Sequence, residues 1–97
     1  MDTKHKLSPK TQELYQAILK LESLEEAKRF FRDLLTEAEI EEFGNRWIAA
    51  QRLSDKVSYL KIAEETGLSS ATIARISKWL TQGMGGYGAM INKIKKK

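Results

Sequence analysis

The sequence predicts an all-α protein of five to six short helices that contains a helix-turn-helix. Three observations lead there. Apolar residues recur at spacings of three and four along most of the 97 residues. Helix-start signals precede each such stretch, and no alternating strand pattern or internal repeat interrupts them. Finally, one glycine, Gly67, separates two short amphipathic segments in the proportion of two helices joined by a tight turn. With 41% apolar and 31% charged residues, the chain has a core to build, either as one small domain or as one subunit of an oligomer. It contains no cysteine, which excludes a disulfide scaffold, a thiolate metal site and a cysteine nucleophile. No stretch approaches the roughly 18 apolar residues of a membrane span. The opening MDTKHKLSPK lacks the apolar segment of a secretory signal, so a cytoplasmic location is expected.

Residues 1–7 read as a polar tail. Ser8 followed by Pro9 is an N-cap with proline in the first turn, and Leu14, Ile18 and Leu21, flanked by Tyr15 and Leu19, give a helix from 9 to about 21. Ser23 with Glu26 is a capping box, and Leu24, Ala27, Phe30, Phe31, Leu34 and Leu35 form the stripe of a second helix. Thr36 with Glu39 repeats the signal, with acidic residues in the first turns favoured by the helix dipole. This third helix, the longest, runs through Ile40, Phe43, Trp47, Ala50 and Leu53 to Ser54 and Asp55. Two short helices follow at 59–66 and 70–80, then a glycine-rich connector and a closing helix at 87–95 in which Tyr87, Met90, Ile91 and Ile94 pack.

Charge is unevenly spread. Residues 1–45 carry seven Lys/Arg against ten Asp/Glu, whereas residues 46–97 carry ten against three. A basic second half points to a polyanion. In the helix-turn-helix at 58–80, Ala63 is the small residue where the helices meet and Gly67 the left-handed turn, while Ile62, Leu68, Ile73 and Ile76 form the wedge. That leaves Ser69, Ser70, Ala71, Thr72, Ala74, Arg75 and Lys78 on or near the outer face. Small residues at a helix start admit the backbone to the major groove of double-stranded DNA. Ser and Thr can bond phosphate or base edges, Ala71 and Ala74 can meet thymine methyls, and Arg75 can take a guanine by two acceptors. Lys56, Lys61 and Arg52, ahead of or on the first helix, are the expected phosphate contacts. The alternative is a helical protein-interaction module that binds an acidic partner regulator. A salt-dependent duplex affinity separates the two.

The segments LLTEAEIEEFGNRW (34–47) and SYLKIAEETGLSSATIARISKWL (58–80) together resemble the Trp repressor superfamily, most closely its YerC/YecD branch, and the resemblance extends over residues 7 to about 95. It implies one domain over 1–97: a helical dimerisation arm at 8–55, the reading motif at 58–80 and the closing helix. It also implies an intertwined homodimer whose two reading heads face successive major grooves, the docking for which the Trp repressor is itself a standard example. The aromatic and aliphatic inventory, from Leu24, Phe30 and Phe31 to Trp79, Met90 and Ile94, separately suggests apolar surface shared between subunits.

In members that bind tryptophan as corepressor, residues at the positions of Leu35, Thr36, Arg46 and Arg75 face the ligand, and all four match here. However, a glycine that makes room for the indole is replaced by Ile76, and a small serine near the ligand's amino group by Trp79. Added carbons close a site packed at interior density. No tryptophan corepressor is therefore expected, with Ile76 and Trp79 holding the reading helix and Arg46 pairing with the acidic stretch of its own helix. A constitutive binder, or one answering to another effector, fits this reading. Neither cofactor nor metal is expected: His5 is a lone histidine in the tail, the acidic run EAEIEE lacks calcium-loop spacing, and GMGGYG follows no strand. With no catalytic constellation, the chain is not read as an enzyme.

Overall fold

The computed structural model describes residues 7–95, so the expectations for His5 and for the last two lysines fall outside the described residues. It contains α1 (Pro9–Ile18), α2 (Leu24–Leu34), α3 (Glu37–Ser54), α4 (Tyr59–Thr66), α5 (Ser70–Gln82) and α6 (Gly86–Lys95), with no strand among the described residues. The helices group into two compact units that divide between Thr36 and Glu37. The third helix, expected in a dimerisation arm with the first two, groups within this chain with the helix-turn-helix.

In the first unit the caps form where the side chains demand them. Ser8 Oγ accepts from the Thr11 amide at 3.2 Å, and Ser23 Oγ from the Glu26 amide at 3.0 Å. Glu26 reaches back one residue further than a capping box requires, accepting from the Glu22 amide at 2.9 Å. Helix α1 stops at Ile18, short of the predicted residue 21, but amide bonds from Lys20 to Ala17 and from Leu21 to Ile18 carry the turn onward. Leu14, Ile18, Leu21, Ala27, Phe30, Phe31 and Leu35 are half-buried along one stripe, and the rings of Phe30 and Phe31 meet edge to face at 5.6 Å. Yet neither α1 nor α2 contains a buried residue, and Leu19 and Leu24 are 83% and 75% exposed.

The second unit has the core. Ala49 and Ala50 of α3, Ile62 of α4, Leu68 of the turn, Ile73 and Ile76 of α5 and Ile91 of α6 are buried together, with Trp47, Leu53, Val57, Ala63, Leu80 and Tyr87 packed around them. All four predicted wedge residues are in this cluster. Trp47 and Tyr87 stack with centroids 6.3 Å apart, which ties α6 to α3. Lys95 Nζ bonds Asp55 Oδ1 at 2.9 Å, fastening the end of α6 to the turn after α3. Met90 and Ile94, expected to pack, stay about half exposed.

Candidate nucleic-acid interface

The turn between α3 and α4 closes with two amide bonds, Val57 to the Arg52 carbonyl at 3.0 Å and Lys56 to the Leu53 carbonyl at 3.1 Å. This is a Schellman ending, and its left-handed position normally takes glycine. Here Lys56 occupies it at φ 65°. The backbone therefore carries strain at an exposed lysine. Ser58 then caps α4 through the Lys61 amide at 3.2 Å.

Helix α4 ends at Gly67, whose φ of 75° and amide bond to the Ala63 carbonyl at 2.8 Å reverse the chain. Thr66, buried beside it, stitches the turn. Its Oγ1 donates to the Ile62 carbonyl at 2.7 Å and accepts from the Leu68 amide at 3.2 Å. Sequence reasoning passed over Thr66, although a threonine before a helix-ending glycine is suited to this role.

Ser69 caps α5, accepting from the Thr72 amide at 3.1 Å and donating to Thr72 Oγ1 at 3.1 Å. The Ser69 hydroxyl is thus spent on the helix start, and it leaves the Thr72 hydroxyl proton to point elsewhere. Beyond the cap, Ser70, Ala71, Ala74, Arg75 and Lys78 are all exposed, and Ala71, Ala74, Arg75 and Lys78 lie three or four apart on one face of α5. The opposite face supplies Ile73 and Ile76 to the core. At the far end, a Cβ on Gly83 would lie 2.6 Å from the Trp79 carbonyl oxygen, so only glycine ends α5 in this way. Lys56, Lys61, Arg75 and Lys78 make no ion pair among the described residues, and all four are exposed.

Arg52, expected at phosphates, is engaged within the protein. Its Nε donates to Glu65 Oε1 at 2.9 Å and its Nη2 to Glu65 Oε2 at 2.8 Å, a two-pronged pair between α3 and α4. The hydrogen bonds from Arg52 hold the Glu65 carboxyl below the usual glutamate range, and the same bonds raise the guanidinium still further. Nothing local in the sequence links the two residues.

Of the expected effector residues, Leu35 and Thr36 end the first unit, and Arg46, Arg75, Ile76 and Trp79 belong to the second. Arg46 Nε donates to Glu42 Oε2 at 3.1 Å, one helical turn back in the acidic stretch. Ile76 is 1% exposed and is a core residue, whereas Trp79 is 44% exposed and packs less closely than Ile76.

Two short helices around a left-handed glycine, with an apolar inner face and a basic, small-residue outer face, define a helix-turn-helix protein of the DNA-binding class. The chain belongs to the Trp repressor family, whose pattern it matches over residues 9–95. It is 39% identical over 84 residues to the uncharacterised protein YerC of Bacillus subtilis strain 168, an alignment covering 87% of this chain and 81% of YerC. It superimposes on a TrpR-like protein from Eubacterium eligens with a TM-score of 0.90 and 38% identity, covering 98% of this chain and 97% of the other. A candidate Trp repressor of Staphylococcus aureus matches with a TM-score of 0.89 and 32% identity, over 100% of this chain and 97% of the other. The family is one of DNA-binding regulators and not of enzymes. No helix among the described residues is long and apolar enough to cross a membrane.

Proposed function

We propose that the protein is a homodimeric, cytoplasmic transcriptional repressor that occupies a two-fold related DNA site through residues 69–78 and does so without tryptophan. The observation that carries this reading is the outer face of α5, where every polar or small residue expected at the groove, Thr72 apart, is exposed while Ile73 and Ile76 anchor the helix from behind. The exposed lysines 56 and 61 supply phosphate contacts ahead of and on α4. Thr72 donates its hydroxyl outward, Arg75 reads a base, and Ser69 serves the fold.

The dimer rests on a separate argument. A unit of about 36 residues without a single buried side chain among those described has little core of its own, and elements below roughly 40 residues usually draw on an oligomer, metal or disulfide for stability. A second copy covers that stripe. Within the second unit, Phe43, Trp79, Met90 and Ile94 are also about half exposed and add apolar surface for a partner to cover.

The absence of a tryptophan site follows from Ile76. In the core this side chain packs among Ile62, Ile73 and Ile91, so the position that must be open for an indole is instead structural. Calorimetry with tryptophan should show no heat of binding, and a saturable isotherm would refute this part.

Selection of bound duplexes from a random pool at two salt concentrations tests the whole reading. An enriched near-palindrome with half-sites about one helical turn apart is the expected result. Arg75→Ala should then lower affinity by about 1–3 kcal/mol and relax the preference at one position per half-site. Recovery of duplexes with no enriched sequence would overturn the specific regulator, and no recovery even at low salt would leave the protein-interaction module.

A further inference from the structure

We propose that Arg52 and Glu65 are the positioning pair of the reading unit: Arg52 fixes α4 at both ends against α3 and so sets the angle at which α5 is presented to the duplex. This rests on the reading of α5 as the base-contacting helix, and it moves Arg52 from contacting phosphate to acting through another element.

The geometry is that of a two-point mount. The backbone carbonyl of Arg52 accepts from Val57 at 3.0 Å, just before α4 begins. Its guanidinium holds Glu65 at 2.9 and 2.8 Å, in the last turn of the same helix. Seven residues lie between these attachments, and the helical stretch from Tyr59 to Glu65 rises about 9 Å. One residue of α3 therefore closes the turn that leads into α4 and holds the last turn of α4. Two attachment points define a direction, which a single point does not.

The inner face of α4 is anchored by Ile62 and Thr66, and the Arg52–Glu65 pair adds a polar attachment on its exposed side. A fork of two parallel bonds restricts rotation as well as distance. Downstream of Glu65 come Thr66 and the Gly67 turn, and the cap of α5 begins at Ser69. Any tilt of α4 is passed directly to the reading helix. In contrast, the pair does little for overall stability, because both side chains remain substantially exposed, at 35% and 45%. Its contribution lies in orientation.

Two signs distinguish positioning from direct contact. If Arg52 met phosphate, Glu65 would be a competitor, and removing its charge would leave or strengthen binding to a polyanion. If the pair positions α4, removing either member weakens specific binding. The experiment measures Arg52→Gln, Glu65→Gln and the double variant for affinity to the selected duplex and to a random duplex, across a range of salt, with urea unfolding in parallel.

Each single variant should lose about tenfold in specific affinity, the scale of one imperfect base pair. Random-duplex affinity and the salt slope should stay at the wild-type values, and the double variant should be no worse than either single one. Specific binding by Glu65→Gln at or above wild-type strength, or a salt slope lowered by about one in Arg52→Gln, would overturn the proposal and make Arg52 a phosphate contact. Failure of either variant to fold would also overturn it, since the pair would then be holding the fold. If wild-type protein shows no preferred duplex, the failure is that of the proposed function and is visible before any variant is made.

Discussion

Replacing Thr66 by valine tests how the reading turn is held. Valine has the same shape and the same branching at Cβ, so helix propensity and packing volume barely change. What disappears is a hydroxyl that donates at 2.7 Å to the Ile62 carbonyl and accepts at 3.2 Å from the Leu68 amide. The Ile62 carbonyl sits inside α4 and faces Thr66 across one helical turn, so its loss is partial. The Leu68 amide, on a residue only 9% exposed, is left without its acceptor, which costs about 1–3 kcal/mol. Burying a methyl in place of the hydroxyl returns up to about 0.8 kcal/mol. The expected net destabilisation is about 2 kcal/mol. In a domain of this size that lowers Tm by roughly 10 °C. Urea unfolding at one fixed protein concentration is the assay, because the proposed dimer makes stability depend on concentration. Thr66→Ser is the control, since it keeps both hydrogen bonds and should lose less than about 1 kcal/mol. A valine variant within about 0.5 kcal/mol of wild type, or a serine variant worse than the valine one, would show that packing and not the hydroxyl holds the turn.

Other perturbations follow from the same geometry. Lys56→Gly relieves a left-handed backbone and should raise stability by about 0.5–1 kcal/mol in urea unfolding, while reducing the salt slope of duplex binding by about one; a loss of stability would show that the lysine is not strained. Ile76→Val should cost about 0.5–1.5 kcal/mol, and Ile76→Gly should prevent stable folding instead of opening a ligand pocket, because it empties a fully buried site within a helix. A folded Ile76→Gly protein that binds an indole would refute that. Glu65 has a lower pKa in the folded chain than in the unfolded one, so the unfolded state binds more protons in acid. The stabilisation from Glu65 is thus full above the ordinary glutamate range and is lost as pH falls through the depressed folded value. Because the pair is exposed, any difference in urea midpoint between wild type and Glu65→Gln should be small and should vanish on acidification. The sharper check is an NMR titration of Glu65, which should fall lower in wild type than in Arg52→Gln, and equal titration midpoints in the two would contradict the pairing.

Much of the helix-turn-helix was legible because its determinants are local. Ser58 and Ser69 start helices by accepting from amides three residues on, Gly67 ends one by donating to the Ala63 carbonyl four residues back, and Ile62, Leu68, Ile73 and Ile76 share one side through helical periodicity alone. The reach of the closing helix was misread by one residue, since Gly86 and Gly88 suggested a break where the helix in fact begins. Ala49 was missed for a different reason. Its small side chain gives little hydrophobic signal, yet it is fully buried because other helices close over it.

The sequence by itself determined the six helices, the inner face of the reading motif and the family to which the chain belongs, because capping, periodicity and motif spacing act over a few residues. Only the tertiary structure decided that α3 joins the reading unit, that Lys56 stands in a left-handed turn, and that Arg52 grips Glu65 across 13 positions of chain. A charged side chain can reach many partners, and its sequence neighbours do not say which one it meets. Helix packing brings one carboxylate within hydrogen-bonding distance, and that packing, not the residue type, decides that Arg52 meets Glu65.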